Sequence, residues 1–343
     1  MTGDSVSILE GVRQDPNGLG VDFSLSEEGT LVYVPGEGAS RAHQHGLVWV
    51  DRQGTETLLT EENRDFSAPR ISPDGQRFLI NIRQPTGDRQ VWIYDLGDGS
   101  LSRLTFEEHG SGSPAWSPDG KWLIFQSGQS GEFGMVRQPV DRSRSQERLT
   151  STPNRQLPNS WSSDGQLVAF SEGQRPSYDI GILPMEGDGE PQYIVASAAH
   201  ECCPKFSPDD KWLAYVSDEL GINNVYIRPY PEPDVKWLIS DDEEGGAQPV
   251  WSPDGTELFY RSGNKMMGVS IQSQGQTLNA GRPRILFEGS YVSHAIPRGM
   301  QYYDISPDGK RFLMMKEETV QQQGHINVVL NWFEELKRLV PTK

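Results

Sequence analysis

His200-Glu201-Cys202-Cys203 is the densest run of ligand-type side chains in the 343-residue sequence. Imidazole, carboxylate and thiolate are the donors zinc takes, and carboxylate oxygens are what calcium takes. Consecutive residues of an extended strand point to opposite sides, so two of the four can meet one ion and the others must come from elsewhere. The expected set is therefore His109, His200, Glu201 and Asp304, holding zinc or calcium; its spacing matches no known zinc motif, and no other cofactor is implied. An ion held there would polarise an ester carbonyl or phosphoryl oxygen and acidify its bound water, with His200, Glu201 and His294 as the catalytic groups. The plainer reading of the same residues is solvated surface charge.

A second constellation is Arg70, Lys205 and Asp304, each just ahead of an apolar residue at one position of a repeated unit. The two cations suit a carboxylate or phosphate ligand. The favoured expectation is an ion pair with Asp304 that fills the middle of the fold.

The elements that position these residues come from a repeat. Ser-Pro-Asp-Gly occurs at 72–75, 117–120, 252–255 and 306–309, with variants Ser26-Glu27-Glu28-Gly29, Ser162-Ser163-Asp164-Gly165 and Ser207-Pro208-Asp209-Asp210. The starts lie 46, 45, 45, 45, 45 and 54 residues apart. Pro presets φ, Asp bonds amides two residues on and Gly accepts positive φ, so each tetrapeptide is a hairpin turn between two strands, and its aspartate is structural. Two further strand patterns follow in most units, as in Val91-Trp92-Ile93-Tyr94 and Ser102-Arg103-Leu104-Thr105. Four short antiparallel strands per unit make a propeller blade.

The predicted fold is all-β: one domain over 1–343, a seven-bladed β-propeller with blade starts near 21, 67, 112, 157, 202, 247 and 301. The last unit has strands at 302–305, 311–315 and 326–330 and then turns helical through Trp332-Phe333-Glu334-Glu335-Leu336, so residues 5–12 are expected to complete blade seven and remove an open edge. Six blades plus an extra sheet is the rival count. Strand order puts His43, His45, His109, His200, His294 and His325 at the end opposite the Ser-Pro-Asp-Gly turns, with Glu61, Glu62, Asp65, Glu107, Glu108, Glu201, Asp241, Asp242, Glu243 and Glu244. The tryptophans at repeat positions, such as Trp116, Trp212 and Trp251, are expected in the layers between blades.

Composition narrows the function classes. The net charge of −17 argues against nucleic acid and against an anionic membrane surface. No apolar stretch is long enough to span a membrane, and Met1-Thr-Gly-Asp begins no leader pattern, so the expectation is a soluble chain without membrane insertion. The adjacent Cys202 and Cys203 are the only cysteines, and they give no disulfide framework.

These units resemble the TolB-like, WD-like propellers built on Ser-Pro-Asp-Gly turns. The resemblance is closest to the C-terminal propeller of bacterial serine/threonine protein kinases, on Leu47-Val48-Trp49-Val50-Asp51-Arg52-Gln53-Gly54, Glu257-Leu258-Phe259-Tyr260-Arg261-Ser262-Gly263 and Asn327-Val328-Val329-Leu330-Asn331-Trp332-Phe333. It implies a bacterial, sensor-like module, periplasmic or extracytoplasmic if the kinase link holds and cytoplasmic otherwise. No kinase loops and no Gly-x-Ser-x-Gly elbow are present, so neither kinase nor prolyl-peptidase chemistry is expected. The expected function is a monomeric propeller binding a small molecule or a protein or peptide at its channel mouth, through the His-rich acidic face. The alternative is a metal-dependent hydrolase at that mouth, similar to propeller esterases, lactonases and phosphotriesterases; a purely structural scaffold is the third reading.

Overall fold

A computed structural model describes residue 12 and residues 22–34, 44–60, 62–129, 132–174, 177–187, 189–231, 235–240, 243–275, 277–292, 300–317 and 326–339. The chain divides into two compact units, one of residues 45–317 and one of residues 1–44 with 318–343.

Within 45–317 the described strands form six antiparallel sheets. Five are contiguous in sequence, beginning with the strands Phe66–Ile71, Ser111–Trp116, Arg155–Trp161, Glu201–Phe206 and Ala247–Trp251. The sixth joins the two ends of the unit. Tyr303–Ile305 and Arg311–Glu317 are completed by His45–Asp51 and Glu56–Leu58, with Arg311 opposite Asp51 and Glu317 opposite His45. This pairing corrects the expected closure of the last sheet. Closure does use a strand from the N-terminal side, but it is the buried run Leu47-Val48-Trp49-Val50, whose apolar side chains have a core to enter. Residues 5–11 of the expected strand lie outside the described residues.

Six of the seven turn copies belong to this unit, and each is locked in the same way. In the first, Ser72 Oγ donates to Asp74 Oδ1 at 2.5 Å, Asp74 accepts from the Gln76 amide at 3.0 Å, and Gly75 sits at φ +70°. The same Ser-to-Asp bond recurs at Ser117, Ser162, Ser207, Ser252 and Ser306. Neighbouring turns also touch. A Cβ on Gly75, Gly120, Gly165, Gly255 or Gly309 would lie 3.3–3.7 Å from Pro307, Pro73, Pro118, Pro208 or Pro253 respectively. Ser163 and Asp210 make the sixth contact by hydrogen bonds, so the turns form a closed ring.

Apolar layers fill the space between adjacent sheets. Trp212, Val225, Trp251, Leu258 and Tyr260 pack in one such cluster, and Val50, Val250, Phe259, Tyr303 and Phe312 in another. Two indoles tie one sheet to the next: Trp116 Nε1 donates to Arg70 O at 2.9 Å and Trp251 Nε1 to Lys205 O at 3.1 Å. Trp116, Trp212 and Trp251 are thus interior, as their repeat positions imply.

The other unit contains a three-stranded sheet, Phe23–Leu25, Leu31–Tyr33 and Asn327–Val329, followed by the helix Trp332–Leu339. The seventh turn copy lies here. Gly29 has φ +82°, its carbonyl accepts the Trp332 amide at 2.7 Å, and a Cβ would meet the Phe333 ring at 2.6 Å, so only glycine fits.

Candidate functional site

The inner strands of the six sheets surround a cavity of about 370 Å³ that opens at the turn end. At the position two residues before each turn serine it is lined by Arg70, Ala115, Ser160, Lys205, Val250 and Asp304. Five of these strands carry a bulge next to this level, and in four of them Ala68, Ser113, Cys203 and Gln248 hold φ between +49° and +61°.

The three charged residues come together in this cavity, but they do not form the ion pair the sequence suggests. Arg70 is 5 % exposed and its Nη1 donates to the carbonyls of Pro69, at 2.6 Å, and Gln301, at 3.3 Å. Its Nε is buried without a partner. Lys205 Nζ donates to Asn159 O at 2.7 Å. Asp304 accepts from the amides of Ile71, at 2.8 Å, and Ile305, at 2.9 Å. Backbone groups near each side chain outcompete the partner across the cavity, since they offer hydrogen bonds with no side-chain entropy of their own to lose. Asp304 still acts on both cations at longer range.

Burial dominates the electrostatics. It pushes the Asp304 carboxyl above the ordinary aspartate value, against the pull of Arg70, Lys205 and the two amides. It also brings the Lys205 ammonium down to about 7, helped by the neighbouring Arg70 charge and opposed by Asp304 and Cys203.

The opposite end of the unit carries the expected histidines that can be described. His45 begins its strand, His109 is exposed before Ser111–Trp116, and His200 is 6 % exposed with its ring edge-on to Tyr178, centroids 5.3 Å apart. His43, His294 and His325 lie outside the described residues, as do Glu61, Asp241 and Asp242. Glu201 is 2 % exposed and accepts from Ser197 Oγ, while its Oε2 has no hydrogen-bond partner. Burial raises its pKa, partly countered by Ser197, with Asp179 and Asp218 adding to the rise. Cys202 and Cys203 are both buried, with their Sγ atoms 3.0 Å apart.

The four expected metal ligands are not gathered. Among the described residues no three His, Cys, Asp or Glu side chains converge on a point that could hold an ion. Asp304 belongs to the cavity at the turn end, whereas His109, His200 and Glu201 belong to the other. The acidic residues there are largely engaged: Asp65 pairs with Arg83 at 2.7 Å and Arg89 at 2.6 Å, Glu62 with Arg64 at 2.6 Å, and Glu244 with Lys265 at 2.6 Å. Sequence spacing identified the shared position of Arg70, Lys205 and Asp304 and its direction toward the channel, and missed that backbone groups rather than one another take their hydrogen bonds, since a bulge is not visible in an alternating pattern.

Comparison with known proteins places this architecture. Residues 42–192 match the TolB beta propeller domain family. The chain superposes on a protein from Agrobacterium tumefaciens assigned as TolB with a TM-score of 0.63 at 17% identity, over 81% of this chain and 99% of that one. TolB from Acinetobacter baumannii gives 0.52 at 17% identity, over 86% and 67%. An uncharacterized protein of Agrobacterium fabrum, Atu1656, is 37% identical over 73 residues, 21% of this chain and 24% of that protein. The matches to curated relatives span 10% to 27% of those proteins' lengths. The fold is a TolB-like β-propeller.

Proposed function

We propose that the 45–317 unit is a binding module whose ligand, a small molecule or the end of a peptide, enters the cavity at the turn end. The observation that carries this reading is Arg70: a guanidinium 5 % exposed, lining a cavity, with Nε lacking any protein acceptor. A buried guanidinium with an unmatched N–H costs on the order of 1–3 kcal/mol, and an acceptor brought into the cavity beside that charge offsets part of it. The cavity volume also falls within the range of about 300–1,000 Å³ that small-molecule sites occupy. In this reading the module is sensor-like: occupancy of the mouth is the signal, and the flanking segments carry it to whatever they join. The site therefore moves from the His-rich end to the opposite one.

The test uses the tryptophans as reporters. Trp116, Trp161 and Trp251 line the cavity, whereas Trp237 does not. Protein labelled with 5-fluorotryptophan is titrated with a fragment library and followed by fluorine NMR. Binders are expected to move the Trp116, Trp161 and Trp251 signals ahead of the others. Binders that consistently move other signals and spare these three would overturn the placement.

A further inference from the structure

We propose that the ligand of this cavity is a monoanionic organic acid, its single carboxylate held between Arg70 and Lys205 and its apolar body against the cavity wall. This rests on the turn-end binding reading and adds the ligand's chemistry to it.

Three observations select the class. The first is unspent donor capacity. Lys205 uses one of its three N–H donors, on Asn159 O, and Arg70 uses Nη1 alone, leaving Nε without a partner. The one carboxylate, Asp304, already spends part of its acceptor capacity on two backbone amides. A ligand that accepts is therefore matched better than one that donates.

The second is charge. Two cations and one carboxylate line the cavity, a sum of +1 when Lys205 is protonated. A single carboxylate neutralises it. A phosphate dianion overshoots and meets the fixed charge of Asp304 in a poorly solvated space, where like charges cost most. The chain's net charge of −17 works against every anion at long range, but exposed charges beyond about 8 Å are largely screened at physiological salt, so the recessed pair decides.

The third is the wall. Ile71, Val250, Phe206 and Trp251 line the cavity alongside the charged residues, and the turn prolines form its rim. The apolar part of this wall gains by covering hydrocarbon, and five of the serines beside it, Ser72, Ser117, Ser162, Ser207 and Ser252, already spend their hydroxyls on their own turns.

The experiment is calorimetric titration of the full chain with acetate, hexanoate and 4-phenylbutyrate, each beside its neutral amide, and with phenyl phosphate. The acids are expected to bind in the order of their apolar area, each at least about tenfold tighter than its amide, as hydrogen bonds to charged groups imply. Phenyl phosphate is expected to trail 4-phenylbutyrate. Arg70→Gln and Lys205→Gln should each weaken the acid about tenfold or more and leave the amide unchanged, while Lys205→Arg keeps acid binding. Acids binding no tighter than their amides would overturn the carboxylate assignment and leave the turn-end site standing if the three fluorotryptophan signals still move. Acids that bind with those signals unmoved would overturn the site itself. The acid and amide comparison needs no variant, so it decides even if Arg70→Gln fails to fold.

Discussion

Asp210 stands where every other turn of the ring has glycine, and its carboxylate reaches the neighbouring turn that lacks proline. Both carboxylate oxygens lie 2.9 Å from the Ser163 amide nitrogen, and Ser163 Oγ donates to Oδ2 at 2.5 Å. The two departures from Ser-Pro-Asp-Gly are thus one paired change: Ser163 keeps the N–H that proline would remove, and Asp210 supplies its acceptor. Asp210 holds φ +58° to do so, in a region that favours glycine. Ser163→Pro alone is expected to cost about 1–2 kcal/mol, from the lost bond and from the pyrrolidine ring pressing on the Asp210 side chain. Asp210→Gly alone is expected to be near neutral, since relief of the backbone offsets the lost bonds. The double variant should return to wild-type stability, a coupling of about 1 kcal/mol by urea denaturation. Simple additivity of the two changes would refute the pairing.

Acid should loosen the ring of turns. The turn carboxylates Asp74, Asp119, Asp164, Asp254 and Asp308 are held below the ordinary aspartate value chiefly by their serine hydroxyls, and Asp254 reaches about 2. At Asp209 burial works the other way but the net shift is still downward. A folded-state pKa below the unfolded one gives stability that is present above about pH 4 and is lost as pH falls through the folded values. Urea midpoints are expected to drop from about pH 5 to about pH 3, and Asp254→Asn should lower the midpoint at the higher pH while reducing that drop.

Lys205 should leave an opposite signature in alkali. Its folded pKa of about 7 lies below its unfolded value, so between these two the unfolded chain binds the extra proton and stability rises with pH. Burial sets this, Arg70 lowers it further, and Asp304 and Cys203 oppose it. Lys205→Met is expected to raise thermal stability at neutral pH and to remove its part of the rise between about pH 7 and pH 10. An unchanged pH profile in the variant would mean that the ammonium is not desolvated.

The adjacent thiols are expected to be slow to react. Cys202 is 0% and Cys203 1% exposed, and both belong to the apolar cluster with Trp212 and Trp251. A chromogenic disulfide reagent should modify neither within minutes in the native protein and both on unfolding in guanidinium. Prompt labelling of either in native conditions would show that this layer opens.

The repeat made most of the fold legible, because a turn tetrapeptide recurring near every 45 residues leaves few other architectures. The partner of the last sheet was not, for a local reason. Residues 31–34, 47–50 and 326–330 all read as short apolar strands, and nothing in their alternation distinguishes a strand that pairs with Arg311–Glu317 from one that pairs with Leu31–Tyr33. Burial distinguishes them: Leu47 to Val50 are enclosed, whereas Val328 is 56% exposed. The candidate site divides in the same way. The common position of Arg70, Lys205 and Asp304 could be read from spacing, but the choice of backbone carbonyls over Asp304 depends on bulge geometry. His45, His109 and His200 lie where strand order puts them, but His109, His200 and Glu201 do not converge with Asp304, since shared loops do not make side chains converge.

The pairing of His45 with Glu317 brings the two ends of the 45–317 unit to adjacent strands, at the end away from the turns. The first and last residues of the unit therefore sit side by side, at the end away from the cavity mouth. A pull on them is borne by the hydrogen bonds between Arg311–Glu317 and His45–Asp51, which open one at a time from His45 inward like a zip. The load path thus runs through the seam of the ring, so the same register that closes the last sheet also sets where force first parts it.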